Sequence, residues 1–195
     1  MNKNPRVYAF IDSQNINLGV RSLGWQLDYR KFRLYLTNKY GVSRAYVFIG
    51  KTEGNQNLYD ALEKSGFTLV FKPTVSYVEN GKKTMKGNVD AELVLYAAAK
   101  VYDQYDKALI ISGDGDFYCL AEYLIEKNKL LHIVVPHMRY SKLLKSFAKY
   151  ITKLDTLQSK LVYTPKHANK KPASAVGRNL RQGRKATRSS GRSKP

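Results

Sequence analysis

Cysteine is almost missing from this sequence. Cys119 is the only one in 195 residues, so no disulfide can form within the chain. The three histidines, His132, His137 and His167, do not cluster with it at any zinc-site spacing. Long apolar runs are also lacking. No stretch approaches the ~20 apolar residues of a membrane span, and the opening "MNKNPRVYAFID" has no signal-peptide core. These absences lead to the expectation of a soluble, cytoplasmic protein with no membrane partner. No G-x-G-x-x-G follows the first apolar run, which argues against a nicotinamide site, and "GDGDF" is not a P-loop. No internal repeat is present.

Acidic residues are scarce as well. Fifteen Asp and Glu stand against 34 Lys and Arg, giving a net charge of +19. Such a balance points to an anionic polymer as partner. The excess is uneven: residues 164–195 carry ten basic residues and no acid, which leaves 24 basic against 15 acidic, or +9, on residues 1–163. The final stretch is rich in Ser, Gly, Ala and Pro and poor in large apolar residues. It cannot bury enough surface to offset its ordering entropy. The expected organisation is a folded domain over 1–160 and a disordered basic tail over 161–195, read as a nucleic-acid-binding arm, with a merely solubilising tail as the alternative. Oligomeric state is left open, a homodimer included.

Within the domain, apolar runs alternate with helical patterns. The runs are "RVYAFID", "SRAYVFIG", "FTLVFKP", "KALIISG" and "KLLHIVVP", with a short extended piece near Ile151–Leu157. Helical spacing follows an Asp28 cap, ends at Gly66, fills "VDAELVLYAAAKVYDQY" as one helix, and returns in "DFYCLAEYLIEKN" and "SKLLKSFAKY". Asn80-Gly81 marks a turn, read as a small hairpin tip or flap. Strands apolar on both faces imply an α/β fold: a three-layer α/β/α sandwich around a mainly parallel, Rossmann-like sheet. Right-handed crossovers gather all strand C-termini at one edge, where ligands bind in such folds.

That edge collects carboxylates. Asp12 ends the first strand, Asp114 and Asp116 follow the fourth, and Asp90 opens the helix leading into it. If the first and fourth strands are neighbours, the four acids converge. Packed carboxylates resist joint ionisation unless a cation neutralises them, and an all-oxygen set suits Mg²⁺ or Mn²⁺. Gly113 and Gly115 are expected to let the backbone turn sharply and aim the pair. The alternative for Asp116 or Ser112 is a plain helix cap. Glu92 lies roughly 200° around a helix from Asp90 and is read as surface or supporting. Asn15, Lys86 and Ser112 are candidate substrate contacts, with Asn15 equally able to cap a helix. His132 reads as core or edge, His137 has no partners for a triad, and Tyr77 is a candidate for base stacking.

Three segments together, "FIDSQNINLG", "KGNVDAELVLYA" and "ALIISGDGDFYCLAEYLIEKNK", resemble the NYN family of the PIN-like nuclease superfamily, and among its branches the LabA-like proteins of bacteria. The likeness spans about residues 6 to 155. It implies a PIN-like sheet, a metal-dependent acidic pocket and ribonuclease activity, with Asp12, Asp90, Asp114 and Asp116 as both catalytic residues and metal ligands. Where many members carry "DG-x-N", this chain has Asp12-Ser13-Gln14-Asn15. The function expected is a Mg²⁺- or Mn²⁺-dependent ribonuclease that leaves 5′-phosphate and 3′-hydroxyl ends. The rival is a non-catalytic RNA- or ribosome-associated protein on the same fold. A haloacid-type phosphatase lacks its Asp-x-Asp-x-Thr here. A receiver domain lacks its acid after strand three, which ends at Lys72-Pro73.

Overall fold

The computed structural model describes residues 4–165, apart from 73–74, 80–81 and 87–88; for 75–79 and 82–86 it describes the backbone alone. The chain divides into two units, 1–164 and 165–195, and the account below concerns the first. The tail expected over 161–195 lies, beyond Pro165, outside the described residues.

Six strands form one sheet, and every pairing in it is parallel. They are β1 (Val7–Asp12), β2 (Val42–Gly50), β3 (Thr68–Lys72), β6 (Lys107–Ile111), β7 (Leu130–Val135) and β8 (Ile151–Lys153). Their order is β3-β2-β1-β6-β7-β8, so the first strand sits centrally beside β6, as the convergence of the acids requires. The short piece near Ile151 is the sixth strand, paired to β7. Between β3 and β6, β4 (Val75–Glu79) and β5 (Lys82–Lys86) pair antiparallel in a separate ribbon. Glu79 faces Lys82 across it; Asn80 and Gly81, read from the sequence as a hairpin tip or flap, lie outside the described residues.

Helices cover both faces. On one side lie α1 (Ser13–Arg21), α2 (Tyr29–Tyr40), α3 (Gln56–Lys64) and α6 (Gln158–Leu161). There Val7, Ala9 and Ile11 of β1 pack with Ile16, Phe32 and Leu62. The other side carries α4 (Asp90–Leu95) and α5 (Tyr118–Glu126), where Tyr8 and Phe10 pack with Leu93, Ala97 and Leu120. The same alternation runs along β6: Ala108 and Ile110 face α4, Leu109 and Ile111 face α1. Strand parity therefore sends Asp12 and Ser112 to the α4 face.

The caps follow their residue types. Asp28 accepts from the Lys31 amide at 3.0 Å and opens α2. Gly41 and Gly66, at φ of 69° and 90°, end helices in the left-handed region. Two helices expected as regular are not. After α4 the chain widens into a π-turn over Tyr96–Lys100, in which the Val101 amide bonds the Tyr96 carbonyl five residues back. The Ala97 carbonyl accepts from the Tyr105 hydroxyl instead. The segment Lys142–Tyr150 winds as 3-10 turns with a break at Phe147. Its buried side chains, Leu144 and Phe147, are three residues apart, the repeat of a 3-10 turn.

The folded chain also continues past residue 160, where the tail was expected to begin. Leu161 is 1% exposed, its carbonyl accepts from the Asp28 amide at 2.8 Å, and Val162 bridges to Leu27. The triplet Leu161-Val162-Tyr163 is too short to give a helix or strand pattern in the sequence, yet Leu161 plugs the core beneath α2. Among the described residues no helix is long and apolar enough to cross a membrane.

Candidate metal centre

β1 and β6 run in register, Ile11 beside Ile111, so the next residues, Asp12 and Ser112, emerge side by side. Asp12 is only 4% exposed. One oxygen accepts the Asn15 amide at 3.1 Å and caps α1; the other accepts the Ser112 hydroxyl at 3.1 Å. The Ser112 oxygen in turn accepts the Asp114 amide at 3.1 Å, and Asp114 Oδ1 accepts the Asp116 amide at 3.2 Å. A chain of hydrogen bonds thus runs from the buried acid up to the exposed one. Across the gap, Asn15 Oδ1 accepts the Gly113 amide at 2.8 Å and locks the two strand ends together.

Three acids meet at the top of this ladder. Asp90, Asp114 and Asp116 each place a carboxylate oxygen within 4.8 Å of the others, the first two half-buried and the third exposed. Asp90 comes from the first turn of α4, where helix polarity favours a negative charge. An oxygen-only, anionic set of this size suits a hard divalent cation. Asp12 is not in the trio. It lies beneath, and its carboxyl is pushed above the ordinary carboxylate range, chiefly by burial. The bonds from Asn15 and Ser112 pull it back, while the charges of Asp90 and Asp114 push it up further. The repulsion expected among clustered acids is present.

Each candidate now has a place. Ser112 is fully buried with its hydroxyl engaged on both sides, so it has no surface to offer a substrate and serves as a strut instead. The Asn15 carbonyl is committed to Gly113, and the cap of α1 is Asp12 rather than Asn15. The cap of the Gly115–Phe117 turn is Asp114, which leaves the Asp116 side chain facing outward. Lys86 pairs with Val75 through its backbone, but its side chain, like that of Tyr77, lies outside the described residues. Glu92 turns away from the trio to an ion pair with Lys72 at 3.3 Å. His132 lies in β7 opposite Leu109 of β6, its Nδ1 3.1 Å from the Tyr150 carbonyl just before β8 and its ring against Tyr40. His137 accepts the Arg139 amide within its own loop.

The glycines of "SGDGD" have a different reason from the one expected. Neither Gly113 nor Gly115 has positive φ. What they supply is room. A Cβ on Gly115 would lie 2.4 Å from Ser141 Oγ, and one on Gly113 would lie 3.1 Å from Pro136 and 3.2 Å from Tyr140. The Ser141 amide donates to the Gly113 carbonyl at 2.9 Å, so the loop before the 3-10 segment lies directly against the acidic turn.

Sequence reasoning missed a cleft of about 530 Å³ next to the trio. It is lined by Ser13 and Val89, the neighbours in sequence of Asp12 and Asp90. Its walls also include Gln14, Asn17 and Arg21 of α1, and Asn55 before α3. One signal was available: Ser13, Asn17 and Arg21 recur every four residues, a polar stripe beside the buried Ile16 and Val20.

The structure is thus a parallel α/β sheet with three acids gathered at the edge where β1 and β6 end. The NYN domain model matches residues 6–177, and the chain belongs to the NYN domain family. Low amplitude and bright protein LabA of Synechococcus elongatus is 31% identical over 137 residues, covering 67% of this chain and 72% of that protein. A crystal structure of a protein of unknown function from Vibrio parahaemolyticus matches 84% of this chain and 100% of its own, at a TM-score of 0.67 and 23% identity; it shares the fold.

Proposed function

We propose that this chain is a Mg²⁺- or Mn²⁺-dependent ribonuclease that hydrolyses RNA phosphodiester bonds at the C-terminal edge of the sheet. The observation that carries the reading is the meeting of Asp90, Asp114 and Asp116 oxygens within 4.8 Å on the fold of an NYN domain, in the PIN-like class of nucleases. A divalent ion, when bound, supplies Lewis-acid polarisation of a phosphoryl oxygen and a water of lowered pKa. Asp90, Asp114 and Asp116 would hold it.

The remaining residues position that set. Asp12 adds negative charge from below and, through Ser112, fixes the backbone of Asp114. Asn15 fixes Gly113, and with it the angle of the acidic turn. Lys86, at the end of β5, is the candidate phosphate contact. In the reaction a water oxygen joins phosphorus as the bond to the 3′-oxygen breaks, leaving a 5′-phosphate and a 3′-hydroxyl. The basic excess of the chain offsets the repulsion between RNA and an acidic pocket and speeds encounter in a salt-sensitive way.

Labelled single-stranded RNA incubated with Mn²⁺ or Mg²⁺ tests this. Wild-type protein should cleave, while chelation or either of Asp90→Asn and Asp114→Asn should abolish turnover. Calorimetric titration with Mn²⁺ should show the same variants losing the ion, with Asp12→Asn losing less affinity than Asp114→Asn. Equal cleavage by wild type and variants, or indifference to chelation, refutes the chemistry. RNA binding without turnover would instead mark a binding protein on this fold.

A further inference from the structure

The cleft beside the acidic trio has an unusual composition for a surface hollow. Side-chain amides ring it: Gln14 and Asn17 from α1, Gln26 ahead of α2, and Asn55 ahead of α3. None of these amides hydrogen-bonds to another described residue. Asn55 sits at the N-cap position of α3 yet makes no side-chain cap. Among the described residues no carboxylate lines the cleft, and its one cation, Arg21, makes no ion pair there. Ile49 and Leu58 supply apolar wall between the polar groups. Tyr29 and Ser13 stand together in the wall of the cleft.

Each amide presents a donor and an acceptor side by side. Four of them, open to solvent and without a partner among the described residues, around a half-apolar hollow, match a flat neutral ligand with donors and acceptors on its edge and two apolar faces. A nucleobase is such a ligand. The volume lies in the usual range for small-molecule sites. Ser13 and Val89 put the inner end of the hollow one residue from Asp12 and from Asp90. Arg21 lies eight residues along α1 from Ser13, about 12 Å up the helix. A base held between them would have one flanking phosphate toward the acids and the other toward the guanidinium.

We propose that this cleft binds one unpaired nucleotide of the RNA substrate, with the amides reading its base and Arg21 holding a phosphate. The proposal rests on the ribonuclease reading and extends it. The enzyme then requires a base out of its stack, so it acts on single strands, and it prefers one base at the position that enters the cleft. Arg21 contributes affinity for every sequence; Asn17 and Asn55 contribute the choice among them.

The test uses the full chain in chelator, where no cleavage occurs, with fluorescein-labelled octamers of A, of C and of U at about 0.15 M salt. Wild type should separate the best from the worst octamer by about tenfold, the discrimination expected of one well-read base. Asn17→Ala with Asn55→Ala should bring the three within about twofold, and Arg21→Ala should weaken all three together. Leu58→Trp, which fills the hollow and leaves the amides in place, should weaken the favoured octamer most. Far-UV circular dichroism checks that each variant is folded. Equal binding of the three octamers by wild type, or a wild-type ranking kept by both Asn17→Ala/Asn55→Ala and Leu58→Trp, overturns the proposal. Wild-type-like base choice in those variants with metal-dependent cleavage intact sinks the cleft assignment alone. Base choice that depends on Asn17 and Asn55, with no turnover in Mn²⁺, supports the cleft and sinks the nuclease. Failure to bind any octamer sinks both.

Discussion

Gly19→Ala should destabilise this protein although it improves the helix that contains it. Gly19 lies inside α1 with no positive φ. On propensity alone, alanine there is worth about 1 kcal/mol of extra stability. The structure reverses the sign. An added Cβ would lie 2.4 Å from Pro136 Cβ and 2.5 Å from Pro136 Cγ, against a normal carbon contact of about 3.5–4.0 Å. Both atoms belong to a ring that cannot rotate aside, and the Pro136 carbonyl is held by the Asp155 amide. Relief needs a backbone shift of about 1 Å, which belongs at the upper end of the 1–3 kcal/mol cost of overpacking. The net expectation is a loss of about 2 kcal/mol, a fall of about 4–8 °C in melting temperature for a domain of this size. Urea denaturation of the two proteins measures it. Because α1 also carries Asn15, the Mn²⁺ affinity of the variant should fall with its stability. A gain in stability, with the ion affinity unchanged, would refute the argument that α1 and the loop after β7 touch through this glycine.

Further expectations follow from other contacts. Asn15→Ala leaves the Gly113 amide without its partner, so stability should drop by about 1–2 kcal/mol in denaturant titration while calorimetry shows weaker Mn²⁺ binding. Leu161→Ala should cost about 2–4 kcal/mol, as the side chain is closed to solvent; a variant as stable as wild type would return residue 161 to the tail. Asp106 is held down to about 2 by hydrogen bonds and charge from Arg6. With its folded value below the ordinary ~3.9, its contribution to stability is fully present above that value and is lost as pH falls toward 2. Carboxyl carbon shifts should show the low midpoint, and Arg6→Ala should raise it part of the way toward the ordinary range, the backbone amide of residue 6 still holding it down.

The sheet was legible because its strands are apolar on both faces and punctuated by glycine and by helix caps, and the neighbouring of β1 and β6 followed from the usual winding of such sheets. The acidic site was legible to the level of which acids share an edge. It was not legible which of them face solvent. Asp12 is the last residue of β1 and Asp114 lies three residues past the end of β6, and it is the register of Ile11 with Ile111 that sets Asp12 inward beside Ser112 while Asp114 rides on the turn above. Gly113 and Gly115 look like turn-formers in sequence, because the atoms that need their space, on Pro136, Tyr140 and Ser141, come from over twenty residues away. The cleft is assembled from α1, the approach to α2, the end of β2 and the cap of α3, and no single one of those segments announces it. The π-turn after α4 escaped because its alanine-rich text reads as regular helix on propensity, and the Tyr105 hydroxyl that donates to the Ala97 carbonyl comes from beyond the helix.

The ion pair between Lys72 and Glu92 has a bearing on how this domain tolerates change. Lys72 closes the last residue of β3, and Glu92 rides the same helical turn as Asp90. Everything between them, the antiparallel ribbon included, is an excursion that departs from and returns to two anchored points. Doubling the length of such an excursion costs only about 0.6 kcal/mol in closure entropy. The ribbon can therefore change in length at small entropic cost while the aspartate at its far end keeps its station.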